Sequence, residues 1–160
     1  MLEHGINKHR NLAFVKHRNG RSGKIEEWID FAVKMKKTKN KALKGWKLVA
    51  APGYDNKPMG KISPGDILIY KNGKSGHVMI AMGKPVKGAG FSTLRIADST
   101  QYPKYNDARA ADHKKNKKGI KVTGMGKGTI HLRINKAKVL QVEKKKDKAD
   151  WGNLYVVRPV

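Results

Sequence analysis

At 160 residues the chain is long enough for one domain with a true core and short for two, and its lack of cysteine excludes disulfides, thiolate metal sites and any thiol nucleophile within it. The 36 Lys and Arg against 12 Asp and Glu give a formal charge of +24, which names polyanions, nucleic acid or an anionic wall polymer, as a class of partner without naming a fold. Hydrophobic residues fall in compact runs, none near the roughly 20 needed to span a bilayer, and MLEHGINKHR lacks a signal-peptide core; the expectation is one folded domain over 1–160 with no export signal and no transmembrane segment.

Residues 1–22 are polar, basic and weakly patterned, and they predict no definite element. From Lys24 the apolar positions Ile25, Trp28, Ile29, Ala32 and Val33 recur at helical spacing and predict an amphipathic helix. Ser22 or Gly23 suits its cap, Glu26 and Glu27 its positive end, and Lys34, Lys36 and Lys37 its negative end. The stretch 45–66, GWKLVAAPGYDNKPMGKISPGD, is punctuated by prolines and glycines and predicts a short strand followed by turns.

Strands are then expected near 66–70 (DILIY), 77–83 (HVMIAMG), 92–98 (STLRIAD), 129–134 (TIHLRI), 137–142 (AKVLQV) and 154–158 (LYVVR). Behind a single helix they predict an antiparallel α+β domain. The glycines of GMGKG (124–128) lead into a strand rather than a helix, so a tight turn or bulge is expected there, not a phosphate-binding loop.

His77 opens the apolar run of the second strand. Treating 77–83 and 92–98 as a hairpin, with Gly83 paired to Ser92, sets His77 directly across from Asp98, which shares a face with Leu94 and Ile96. A carboxylate that fixes an imidazole's tautomer and supports its protonated form is what base-assisted nucleophilic hydrolysis requires. A slip by two would set Ile96 or Thr100 across from His77 instead, and the bland alternative is a polar cross-strand pair at a sheet end, or no meeting at all. Asp107 and Arg109 are candidates for substrate binding, or for a loop-fixing ion pair. His4, His9, His17, His113 and His131 show no metal-ligand spacing, and neither a metal nor a cofactor is expected.

The order SPGDILIY, a polar turn, GHVMIAMG and a strand ending in a polar residue resembles the NlpC-type papain-like cell-wall hydrolases, best over 62–100 and loosely from 101 to 160. The resemblance implies a papain-like α+β fold, an antiparallel sheet or half-barrel with one helix packed on it. It also implies hydrolysis of peptidoglycan or another amide-bonded peptide in relatives that are typically exported or bound to the cell envelope. Gly65 and Asp66 match the family's turn, His77 its base and Asp98 the orienting residue. Asp98 to Thr100, Asp107 with Arg109, and Gly124, Gly126 and Gly128 fit the order of a subset of such proteins.

The family's nucleophile is a cysteine at a helix N-terminus before the Pro-Gly-Asp turn, and this chain has none. Either the cysteine lies upstream of Met1, or it is replaced in place, with Arg21 of Arg21-Ser22-Gly23 where the thiol would stand. The first is preferred, because the helix with Trp28 and Phe31 and the following Gly45-Trp46 resemble the segment after the nucleophile helix in longer members. Ser22 suits a helix cap better than a nucleophile. The expectation is a hydrolase-like domain inactive as given. The alternative is a small lysine-rich module that binds nucleic acid or another polyanion, against which the aromatic residues are not interleaved with the basic runs 34–47, 112–121 and 143–148.

Overall fold

The computed structural model describes residues 25–37, 45–54, 57–72, 75–99, 104–107, 109, 125–143 and 150–160. Expectations that fall on His4, His9, His17, Arg21, Ser22, Gly23, Thr100, His113 and Gly124, on the lysine run 112–121, and on 38–44 and 144–148 of the other two runs, lie outside these residues. Helix α1 (Ile25–Lys37) is followed by strands β1 (Trp46–Ala50), β2 (Ile67–Asn72), β3 (Ser75–Ala81), β4 (Val86–Lys87), β5 (Ser92–Asp98), β6 (Gly126–Ile134), β7 (Leu140–Glu143) and β8 (Trp151–Pro159).

The strands run β2-β3-β5-β6-β7-β8 with every neighbour antiparallel, and β8 pairs in turn with β2, so six strands close into a barrel. Two strands lie off the ring: β1 extends from β8, and the two-residue β4 pairs with the start of β5. Closure corrects the papain-like α+β expectation: the fold is β-rich, a closed antiparallel barrel with one helix among the described residues. The closing ladder joins Tyr70 to Leu154 and Ile67 to Val157, residues too far apart in sequence for local patterning to reveal.

Side-chain alternation sorts the apolar residues into two sets. Leu68, Met79, Ile96, Leu132, Val142 and Val156 point inward and fill the barrel. The intervening Ile67, Ile69 and Val157 point outward, where they meet Trp28, Phe31, Ala32 and Met35 of α1 and Trp46 and Leu48 of β1. The helix thus covers one outer wall of the barrel, but its buried stripe is Trp28, Phe31, Ala32 and Met35: of the positions read from the sequence, Trp28 and Ala32 lie on it, Ile29 is only partly buried and Val33 is not part of it. Trp28 and Phe31 both meet the buried Trp46 ring edge-on, at centroid distances of 5.7 and 6.3 Å. Lys36, at the helix C-terminal end, donates from Nζ to the Pro52 carbonyl at 2.7 Å.

One register and one strand start differ from the sequence reading, each for a local reason. Residues 82–91 are not a plain hairpin loop, because β4 folds back onto Thr93 and Ser92 and Gly88 N donates to Phe91 O at 3.0 Å. This insertion moves the β3–β5 register by two residues, to Ile80↔Ala97 and Ala81↔Ile96. The expected strand at 137–142 begins only at Leu140, since Asn135 closes a turn by accepting Val139 N on its side-chain oxygen and Lys138 adopts a positive φ of 59°. The Pro-Gly-Asp turn is tied to the far end of the chain. The fully buried Asp66 carboxylate takes Arg158 Nε at 2.7 Å and Nη2 at 3.0 Å, and also accepts Ser63 N at 2.9 Å.

Candidate functional site

One end of the barrel is polar. The ladders set Tyr70 of β2 opposite His77 of β3, and Asp98, the last residue of β5, opposite Gly126, the first of β6. His77 and Asp98 meet although the register expected for them is displaced. A shift of two keeps Asp98 on the inner face, and continuing the observed register sets His77 diagonally across from it, within reach of a long side chain. His77 Nε2 lies 2.7 Å from Asp98 Oδ2. A carboxylate only accepts, so Nε2 carries the proton and the Nδ1 lone pair is left as the basic position. The Asp98 side chain is 1% exposed and that of His77 18%, which buries the orienting group while the ring keeps access to solvent.

Asp98 is itself held. Arg109 Nη2 reaches its Oδ1 at 3.3 Å and bonds Asp107 Oδ2 at 2.6 Å, while Arg109 Nε meets Asp107 Oδ1 at 2.9 Å. The result is a chain of four groups, His77, Asp98, Arg109 and Asp107. The Arg109 hydrogen bonds hold the Asp107 carboxyl below its ordinary range against the opposing effect of burial, and the same bonds raise the guanidinium. Asp107 and Arg109 form an ion pair, and Arg109 also supports Asp98.

Gly126 and Gly128 of GMGKG make room for this arrangement. Gly126 and Gly128 lie within β6 and face inward, and a Cβ on Gly126 would run into the Arg109 guanidinium. A Cβ on Gly128 would stand 2.7 Å from Lys104 Cβ. The segment from Lys104 to Asp107 docks beside β6 through Thr129 N, which donates to Tyr105 O at 2.7 Å. Gly126 and Gly128 therefore serve close approach of chain to chain rather than a turn before the strand.

Two participants escape the sequence reading. Tyr70 is buried opposite His77, with ring centroids 6.1 Å apart, and its phenol is pushed up to about 12 by burial first and then by the Asp98 and Asp150 charges. Lys104 is driven below the ordinary lysine range by burial, opposed by the charges of Asp98, Asp107 and Glu143. A signal for Tyr70 exists in the chain: pairing DILIY with the strand after the KNGKSG turn puts it across from His77.

Among the described residues no group of three or more His, Asp or Glu side chains is placed to hold a metal ion, and no helix is long and apolar enough to cross a membrane. Comparison with protein-family models, with curated proteins and with solved structures gives no match.

Proposed function

We propose that His77 and Asp98 are the base and orienting carboxylate of a hydrolytic centre for amide bonds of peptidoglycan-type peptides, present in this chain without a thiol nucleophile. The observation that carries the reading is the 2.7 Å contact from His77 Nε2 to a buried carboxylate that Arg109 braces, which leaves Nδ1 as the basic position on a solvent-reachable ring. The Gly-His opening of β3 after a Pro-Gly-Asp turn, the motif shared with NlpC-type hydrolases, supplies the substrate class. The barrel architecture adds no support, since it is not the fold that the motif implied. With no cysteine, the chain as given has no thiol-hydrolase activity.

The test has two arms. Titration with peptidoglycan stem peptides, followed by NMR of the His77 ring, is expected to shift its signals, and the binding is expected to weaken on His77→Ala. If the reading frame continues upstream of Met1 to a cysteine at a helix N-terminus, the extended protein is expected to cleave those peptides and to lose cleavage on His77→Ala. A silent His77 ring together with a frame that holds no cysteine would overturn the proposal.

A further inference from the structure

The opposite end of the barrel carries a second feature, independent of His77. The β5–β6 ladder runs from Asp98↔Gly126 to Ser92↔Leu132, so the two ends of β5 are about 20 Å apart at strand rise. At the Ser92 end lies an open groove of about 580 Å³. Pro85, Phe91 and Ile134 give it apolar walls, Lys84, Lys87 and Arg133 give it cations, and none of the described residues lining it is acidic. Phe91 and Ile134 are 38% and 39% exposed, which leaves large apolar area uncovered beside three positive charges.

Among the described residues Phe91 is also the last ring of a ladder. His131 stacks on it at a centroid distance of 4.1 Å and on Tyr105 at 4.2 Å, both nearly parallel, so the imidazole is sandwiched between the other two rings. Glu143 fixes the stack by accepting from His131 Nδ1 at 2.9 Å and from the Tyr105 hydroxyl at 3.0 Å. The tight turn at Gly88 and Gly90 sets Phe91 at the groove, with Gly90 at φ +81° and Gly88 so close to Phe91 O that a Cβ would stand 3.0 Å from it. Arg133 is held in place by Gln141 at 3.0 Å and by the Trp151 ring at 4.3 Å.

We infer that this groove binds single-stranded nucleic acid, with a base adding to the ring ladder on Phe91 and the phosphates passing Lys84, Lys87 and Arg133. A phosphodiester chain supplies the charge that the groove lacks, and an unpaired base supplies the flat apolar face that the uncovered ring and apolar walls accept. The aromatic and basic residues are not interleaved in sequence; the β4–β5 turn and the end of β6 bring them together in space.

Fluorescence anisotropy of a labelled oligothymidylate, measured over a range of salt, tests the inference. The native chain is expected to bind, with Phe91→Ala weakening affinity about tenfold and Phe91→Trp retaining it. Lys84→Gln, Lys87→Gln and Arg133→Gln are each expected to flatten the logarithmic salt slope by about 0.7 for every phosphate left without its cation, more than a charge-matched Lys34→Gln on α1. Far-UV circular dichroism of each variant shows whether it keeps the native strand content. Affinity unchanged in a folded Phe91→Ala variant would overturn the inference. So would competition by inorganic polyphosphate or by an acidic peptide that equals competition by the unlabelled oligonucleotide.

Discussion

Tyr70 is the residue at which burial and charge act in the same direction. Its phenol lies under 10% exposed beside His77, and burial, Asp98 and Asp150 all favour the neutral form, raising it from 10.0 to about 12. The unfolded chain releases this proton near pH 10, while the native chain holds it to about pH 12. Stability therefore falls with rising pH inside that window and does not vary with the ionisation of this group below it. The loss approaches about 2 to 3 kcal/mol at the top of the window. Urea unfolding as a function of pH is expected to give a constant difference between the native chain and Tyr70→Phe below pH 10 and a native disadvantage that grows above it. Parallel curves throughout would contradict the assignment. The site was legible at this scale where side-chain parity alone decided it: Asp98 stays on the His77 face under any even shift of register. Arg109 was not legible as a support for Asp98, because its reach depends on a connection whose path alternation does not encode.

At the scale of elements, the start of β6 is shaped by what packs on it. Gly126 and Gly128 occupy inward positions where the later ones on the strand, Ile130 and Leu132, carry large apolar side chains. The absence of side chains there lets Arg109 and Lys104 cross the barrel end. Gly126→Ala is expected to displace the Arg109 guanidinium and to cost about 1 to 3 kcal/mol, as overpacking does. Lys127→Ala, on the exposed outer face of the same strand, is expected to stay within about 0.5 kcal/mol. Denaturant midpoints of the two variants check this, and equal midpoints would mean that Arg109 moves aside without cost. Most strands could be read beforehand because a wall that is apolar inside and polar outside writes its period into the chain. The turn chemistry of Asn135 and the fold-back of β4 could not, since each depends on a specific hydrogen bond rather than a period. Those two features moved a strand start and a register.

For the molecule as a whole, what sequence patterning left out is closure, and closure is where Asp66 and Arg158 act. The two residues are 92 positions apart, and their pairing fastens the turn before β2 to the end of β8, next to the ladder that completes the ring. Asp66 is fully buried with a bidentate guanidinium, a Ser63 amide and no access to water, whereas the Arg158 side chain is 34% exposed. In a chain of +24 the removal of one surface cation matters little in itself, but replacing Arg158 strands a buried carboxylate. The cost of such an uncompensated charge is about 3 to 5 kcal/mol, well above the worth of an exposed ion pair. Arg158→Ala is therefore expected to lower the denaturant midpoint sharply. Adding Asp66→Asn is expected to restore part of the loss, because a neutral amide still accepts from Ser63 N and leaves no charge behind. If Arg158→Ala costs no more than about 1 kcal/mol, the pair is a surface ornament on a barrel that closes by its ladders alone. If the double variant is no better than the single one, the penalty comes from the Arg158 hydrogen bond to the Lys61 carbonyl, which holds the same turn from its other side.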